Sequence, residues 1–487
     1  MQHNKDGEQK LFSLFGLFSL IYILGSSLLF AGSFEDFKRV QSESFHKYKD
    51  KRDNEFNKYL KEQWKEYTAY ITKPLFQEQK PEVITPLEEK KALNVGPIVK
   101  ITLPSQKEQI EKKAPVVDEK KAIKLDFFGR ELGFSPQQEI QKAKFYPRAQ
   151  AGISNFFSIL ASSDYQITLA EIQRYKKELD LNDWGVYLLV KQFAVLQYKD
   201  KDEAKIYMWF LFNKLQYDVK IALNESKHIY LLHYTKNQVY SKARFRFNMK
   251  NYYILSSYQV EDIKNIYTYA QSYPNATKAL DFTLDRLPQL AKKIKSKHIS
   301  FRENNKVYQY TYHYNQEIID FMKTYPQVNY SVYFNAPMEV ILYNDLVRDL
   351  KKDLDGKKMS SALNFVLHFV QKAFQYKRDQ QQFGYEKVMF AEETLVYKAS
   401  DCEDRAVLFA YLVKHIFGIS VVGVKYSDHI STALYIPMRG DTVIYNQRRY
   451  VMADPTYINA NIGQEIPKYR DIEPEYFIQI EMKSKRV

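Results

Sequence analysis

The chain has 487 residues, of which 72 are Lys or Arg and 58 Asp or Glu, for a formal charge of +14. An apolar share of 45% in a chain this long can fill the cores of two or three domains, which excludes a wholly disordered protein. The basic residues are dispersed, and no zinc-ligand spacing or RNP-type motif accompanies them, so no nucleic-acid partner is expected.

Lys5 and Lys10 precede the apolar run "LFSLFGLFSLIYILGSSLLFAG", which closes on Ala31 and Gly32. Residues 1–32 therefore read as a signal peptide or, because the run is almost long enough to cross a bilayer, a membrane anchor. Gly25, Ser26 and Ser27 weaken the span and favour cleavage near Gly32. Either way the rest of the chain is expected to be exported, periplasmic or secreted, touching membrane only through an uncleaved N-terminus.

In residues 33–72, Phe34, Phe45, Phe56 and Tyr67 recur every eleven residues, as do Phe37, Tyr48, Tyr59 and Tyr70. Eleven residues make three turns at about 3.67 per turn, so both series share one face of a long helix. That face packs on a second copy, giving self-association through residues 34–70, or folds back on its own chain. Residues 73–121 are rich in Pro, Glu and Lys, the composition of a linker or of a segment draped over a surface. Residues 122–335 combine a helical pattern, "LNDWGVYLLVKQFAVLQYK", with alternating aromatics in "NQVYSKARFRFNMKNYYILSSY". An α+β class follows for this domain and for the one expected over 336–487.

The chemistry concentrates in "ASDCEDRAVLFAYLVKHIFGI", which holds the single cysteine, Cys402. An exported chain with one cysteine forms no internal disulfide, so the thiol is a buried accident, an intermolecular bridge or a reactive group. Ser400 and Glu403 read as a capping box, with Ser400 the N-cap and a helix running to Gly418. Cys402 then lies in the first turn, where free N–H groups favour thiolate, and Arg405 shares its face. Asp401, Glu403 and Asp404 oppose that effect. A strand, a turn at Ser427 and Asp428 and a second strand opening with His429 follow, and two more strands end at Asp454. An imidazole partner and a carboxylate to fix its tautomer thus arise in the order Cys402, His429, Asp454. His415 reads as structural. His228, His233, His298, His313 and His368 lack metal-like companions, so neither a metal nor a cofactor is expected.

Cys402 at a helix start, His429 at a strand start, Asp454 in "ADPTY" and the "DCED" around the thiol resemble the bacterial transglutaminase-like cysteine proteases of the papain-like superfamily, over roughly residues 336 to 470. The resemblance implies acyl chemistry on amide bonds, as a peptidase, an amidase or an acyl transferase. Its substrate would be a protein or peptide of the cell envelope. It also implies an oxyanion site made by the Cys402 N–H and one upstream side chain, for which Tyr376 and Gln382 are candidates. The alternative is a non-catalytic envelope scaffold with inherited clefts.

Shifted by 202 residues, "EAKIYMWFLFNKLQYDVKIALNESKHIYLLHY" follows "RAVLFAYLVKHIFGISVVGVKYSDHISTALYI" element for element. The first half then reads as a degenerate copy, with Asp200 at the place of the nucleophile and Lys227 at that of the histidine.

Overall fold

The computed structural model describes residues 51–73, 85–102, 123–255, 263 and 265–481. The expected signal or anchor and the first part of the aromatic helix lie outside the described residues. Among the described residues no helix is long and apolar enough to cross a membrane. Helices and antiparallel sheets both contribute, so the α+β class holds.

Residues 51–62 are helical, and Asp53, Phe56 and Leu60 face inward. Phe56 meets the rings of Tyr273, Phe157, Tyr269 and Trp209 at 5.0, 5.6, 5.9 and 6.2 Å. Of the aromatic stripe, Phe56 and Tyr59 pack on their own chain. The helix does not run to residue 72 as the repeat suggests. From Lys65 the chain is extended, in "KEYT" and then "YI".

The reason is a sheet that needs this segment. Seven strands, all antiparallel, lie in the order Lys65–Thr68, Asn265–Thr268, Val219–Leu223, Ile229–Tyr234, Lys250–Ile254, Ala243–Phe247, Tyr70–Ile71. The first and last are neighbours along the chain, separated by Ala69 alone. One half of residues 65–71 therefore pairs with one edge of the sheet and the other half with the opposite edge, closing it into a barrel. The Ala243–Phe247 and Lys250–Ile254 strands join through Asn248 and Met249, both at positive φ (46° and 64°), the two-residue turn whose twist matches a hairpin. The helix Lys201–Lys214 lies against the strands Val219–Leu223 and Ile229–Tyr234.

The C-terminal sheet repeats that order with five strands: Thr442–Tyr445, Arg448–Ala453, Ile430–Leu434, Val421–Lys425, Tyr476–Gln479. Its hairpin turn, Asn446 and Gln447, again has two positive φ angles (47° and 60°). The helix Cys402–Leu412 lies on its two central strands. It continues through a wider turn, Val413–Phe417, and stops at Gly418, whose φ of +67° is the left-handed stop expected from the sequence. Among the described residues no strand closes this second sheet.

The hairpin Ile294–Glu303 with Lys306–Asn315 packs on the helices Val340–Leu354 and Met359–Lys372, so residues well before 336 belong with the C-terminal unit. Residues 85–102, in the expected linker, are draped over the same unit. Val99 N–H donates to Lys357 O at 2.8 Å and Leu87 N–H to Ile458 O at 3.1 Å.

Candidate active site

Helix Cys402–Leu412 starts one residue later than the capping box suggests. Asp401 is the N-cap, with its N–H donating to Asp404 Oδ2 at 3.3 Å. Ser400 instead ends a two-residue strand, parallel to Gln375–Tyr376, and its Oγ accepts from Arg405 Nε at 3.2 Å. That fully buried guanidinium claims the hydroxyl that would otherwise cap the helix. Cys402 becomes the first helical residue and is buried.

His429 stands just before the strand Ile430–Leu434 and Asp454 just after Arg448–Ala453, and the pairing of Thr432 with Ala453 brings them together. His429 Nε2 meets Asp454 Oδ2 at 2.7 Å. Asp454 Oδ1 accepts from Thr456 N–H at 2.7 Å and Tyr457 N–H at 3.1 Å, so the carboxylate cannot swing. Tyr469 lies flat on the imidazole, centroids 5.0 Å apart and planes 14° apart, and its hydroxyl is held by Asp428 Oδ1 at 3.0 Å. The ring is fixed by its carboxylate and its stacking partner, leaving Nδ1 as the nitrogen for chemistry.

The sulfur has other company. Cys402 Sγ donates to Glu403 Oε2 at 3.0 Å, and the Ile430 N–H, one residue from His429, favours negative charge on the sulfur. Among the described residues no hydrogen bond joins sulfur to imidazole. Burial pushes the thiol well above its ordinary range, and the Glu403 and Asp401 charges push it further. Burial, and after it the Glu403 and Asp401 charges, acts against the thiolate expected at the helix start, where the dipole contributes only ~0.3–1 kcal/mol.

These carboxylates belong to a larger buried group. Asp379, 22 residues upstream and on the short helix Asp379–Gln382, is pushed up to about 10 by burial and by Asp404 and Glu403. Burial and Glu403 raise Asp404 to about 7. Oxygens of Asp379, Asp401 and Glu403 lie within 4.8 Å of one another, and Asp401 Oδ1 and Glu403 Oε1 are buried without a partner. Contrary to the sequence reading, this is a place where the chain could hold a cation, hard oxygen donors suiting calcium or magnesium.

Tyr376 is half exposed, its ring 5.4 Å from the Arg405 guanidinium, and Gln382 Oε1 is buried without a partner. The side chain sequence reasoning missed is Tyr330. Its buried hydroxyl has no partner and feels the charges of Glu403 and Cys402. Nothing in "NYSVYFN" marks it. His415, which is exposed, stacks on Tyr411 with ring centroids 4.2 Å apart.

In the first barrel the helix Lys201–Lys214 has Asp200 as N-cap, the place of Asp401 and not of Cys402. The connection from Leu223 to Ile229 is one residue longer than that from Lys425 to Ile430, so His228, not Lys227, stands where His429 stands. Asp202 Oδ1 takes the Ile229 N–H at 3.1 Å, and Arg148 pairs with Asp202.

One consequence of the buried charge is measurable. Glu392 is held up at about 8 by burial and by Glu339. Its folded pKa exceeds the unfolded value near 4.3, so it weakens folding as pH rises between the two and costs nothing below both. Glu392→Gln is expected to gain on the order of 2–3 kcal/mol at pH 7.5 and almost nothing at pH 4.5, read by thermal unfolding at each pH. Equal gains at both would contradict it.

No protein-family model, no curated protein and no solved structure matches the chain.

Proposed function

We propose that the chain performs cysteine-dependent acyl chemistry on amide bonds of proteins or peptides, with Cys402 as nucleophile, His429 as acid and base, and Asp454 holding the imidazole. The observation that carries the reading is the His429–Asp454 pair, locked by the Thr456 and Tyr457 N–H groups. The resting nucleophile is a neutral thiol. As a substrate carbonyl enters, Sγ turns from Glu403 to the imidazole, His429 Nδ1 takes its proton, and the sulfur–carbon bond forms. His429 returns the proton to the departing amine, and water or a second amine releases the acyl group. The Cys402 N–H and the free Tyr330 hydroxyl are the donors for the oxyanion.

The scaffold alternative draws support from the raised thiol and the open sulfur–imidazole contact. The two readings separate by cleavage. Incubated with cell-envelope proteins, the wild type is expected to generate new N-termini or new amide cross-links, read by mass spectrometry. Cys402→Ala and His429→Ala should each reduce them by about 10³-fold or more. The same products at the same rate from Cys402→Ala would leave the scaffold.

A further inference from the structure

The two sheets share strand order, antiparallel pairing and hairpin turn, yet one is closed and the other open. In the first, residues 65–71 enter between the strands Asn265–Thr268 and Ala243–Phe247, and the Tyr67 ring reaches inward to 4.7 Å from Phe247. The equivalent edges of the second are Tyr476–Gln479 and Thr442–Tyr445. Among the described residues no strand pairs between them. A cavity of about 560 Å³ lies there, walled by Thr442, Val443 and Ile444 on one side and Phe477 on the other.

The open edges are set up to take a strand. Met452 N–H donates to Asp441 O at 2.9 Å, which fixes the phase of the antiparallel ladder. Tyr450 and Arg448 then bond to Val443 and Tyr445, leaving the backbone groups of Thr442 and Ile444 directed at the gap. Ile444 is 63% exposed. Inside, the Phe477 ring stands 5.2 Å from that of Tyr445 and covers the place that Tyr67 fills in the first barrel, so an incoming strand has to turn this ring aside. The walls also carry Asp471 and Glu473, while Asp441 is paired with Arg470 at 3.1 Å and Glu465 is buried beside the Tyr426 hydroxyl. An incoming segment with Lys or Arg finds complementary charge, and an acidic one does not.

We infer that this groove docks an extended, basic segment of a partner protein, which adds the sixth strand and closes the C-terminal barrel. Main-chain hydrogen bonds to the open edges would supply affinity, and alternate apolar side chains entering the barrel would supply specificity. The Tyr469 ring is shared between this cavity and the stack on His429, so an occupied groove abuts the imidazole. The inference rests on the two sheets and does not need the acyl chemistry proposed above.

The probe is a fluorescein-labelled peptide, QWKEYTAYITK, the sequence of residues 63–73 that fills the equivalent gap, titrated into the full chain and read by anisotropy. Saturable binding in the micromolar range is expected. Ile444→Pro should weaken it about tenfold or more, because it removes an N–H facing the gap and none from the ladder. Asp471→Lys combined with Glu473→Lys should weaken it comparably without touching the backbone, which covers a folding defect in the first variant. No saturable binding at millimolar peptide, or equal binding by both variants and wild type, overturns the proposal. So does a wild-type dimer that both variants convert to monomer, since a second copy would then be the occupant.

Discussion

Arg405→Met is expected to lower the midpoint of thermal unfolding by about 10 °C, the largest effect of any single substitution near the thiol. Arg405 is 1% exposed, yet all three of its nitrogens are used. Nε donates to Ser400 Oγ at 3.2 Å, Nη1 to Gln371 O at 3.2 Å and Nη2 to Phe374 O at 2.8 Å. Its charge faces Asp401 and Asp404. Methionine fills the volume but leaves two carbonyls unbonded and removes positive charge from a buried acidic group, and breaking such a buried set typically costs ~3–5 kcal/mol. Arg405→Lys should recover only part of the loss, because an ammonium cannot fork to three acceptors in this geometry. Circular dichroism melts decide it: a midpoint within about 2 °C of wild type for Arg405→Met would show that the guanidinium is not holding the cluster.

The second large effect is expected far from the thiol. Phe56→Ala should destabilise by ~3–5 kcal/mol, the range for deleting a buried aromatic. The ring is 2% exposed and touches four rings from three other parts of the chain, so no neighbour can collapse into the space alone. The same substitution should leave a monomer a monomer, since the ring is consumed within its own chain. Calorimetry and sedimentation test the two halves: an unchanged melt with altered association would return residues 34–70 to an assembly role.

Helix, turn and strand around the thiol were legible because each is written in neighbouring residues. Gly418 stops the helix by its own φ, Asn446 and Gln447 make a hairpin by theirs, and the order Cys402, His429, Asp454 follows from one helix and four short strands in a row. The N-cap slipped by one residue because Arg405, packed against Gln371 and Phe374, took the Ser400 hydroxyl. The shift of 202 residues slipped where one connection is a residue longer than the other.

What the sequence by itself determined was the kind of each element and the residues that chemistry could use. Only the tertiary structure decided their state. Residues 65–71 carry a helical aromatic period, but pairing of Tyr70 with Arg244 and Lys65 with Thr268 makes them a strand, because an open barrel edge offers a ladder of hydrogen bonds. Asp379 joins Asp401 and Glu403 from upstream, while burial of Cys402, with the Glu403 and Asp401 charges beside it, works against the thiolate that a helix start favours. Both outcomes depend on groups distant in the chain: a strand needs its partner's N–H and C=O, and a buried charge is set by every carboxylate folded against it, neither of which a local pattern records.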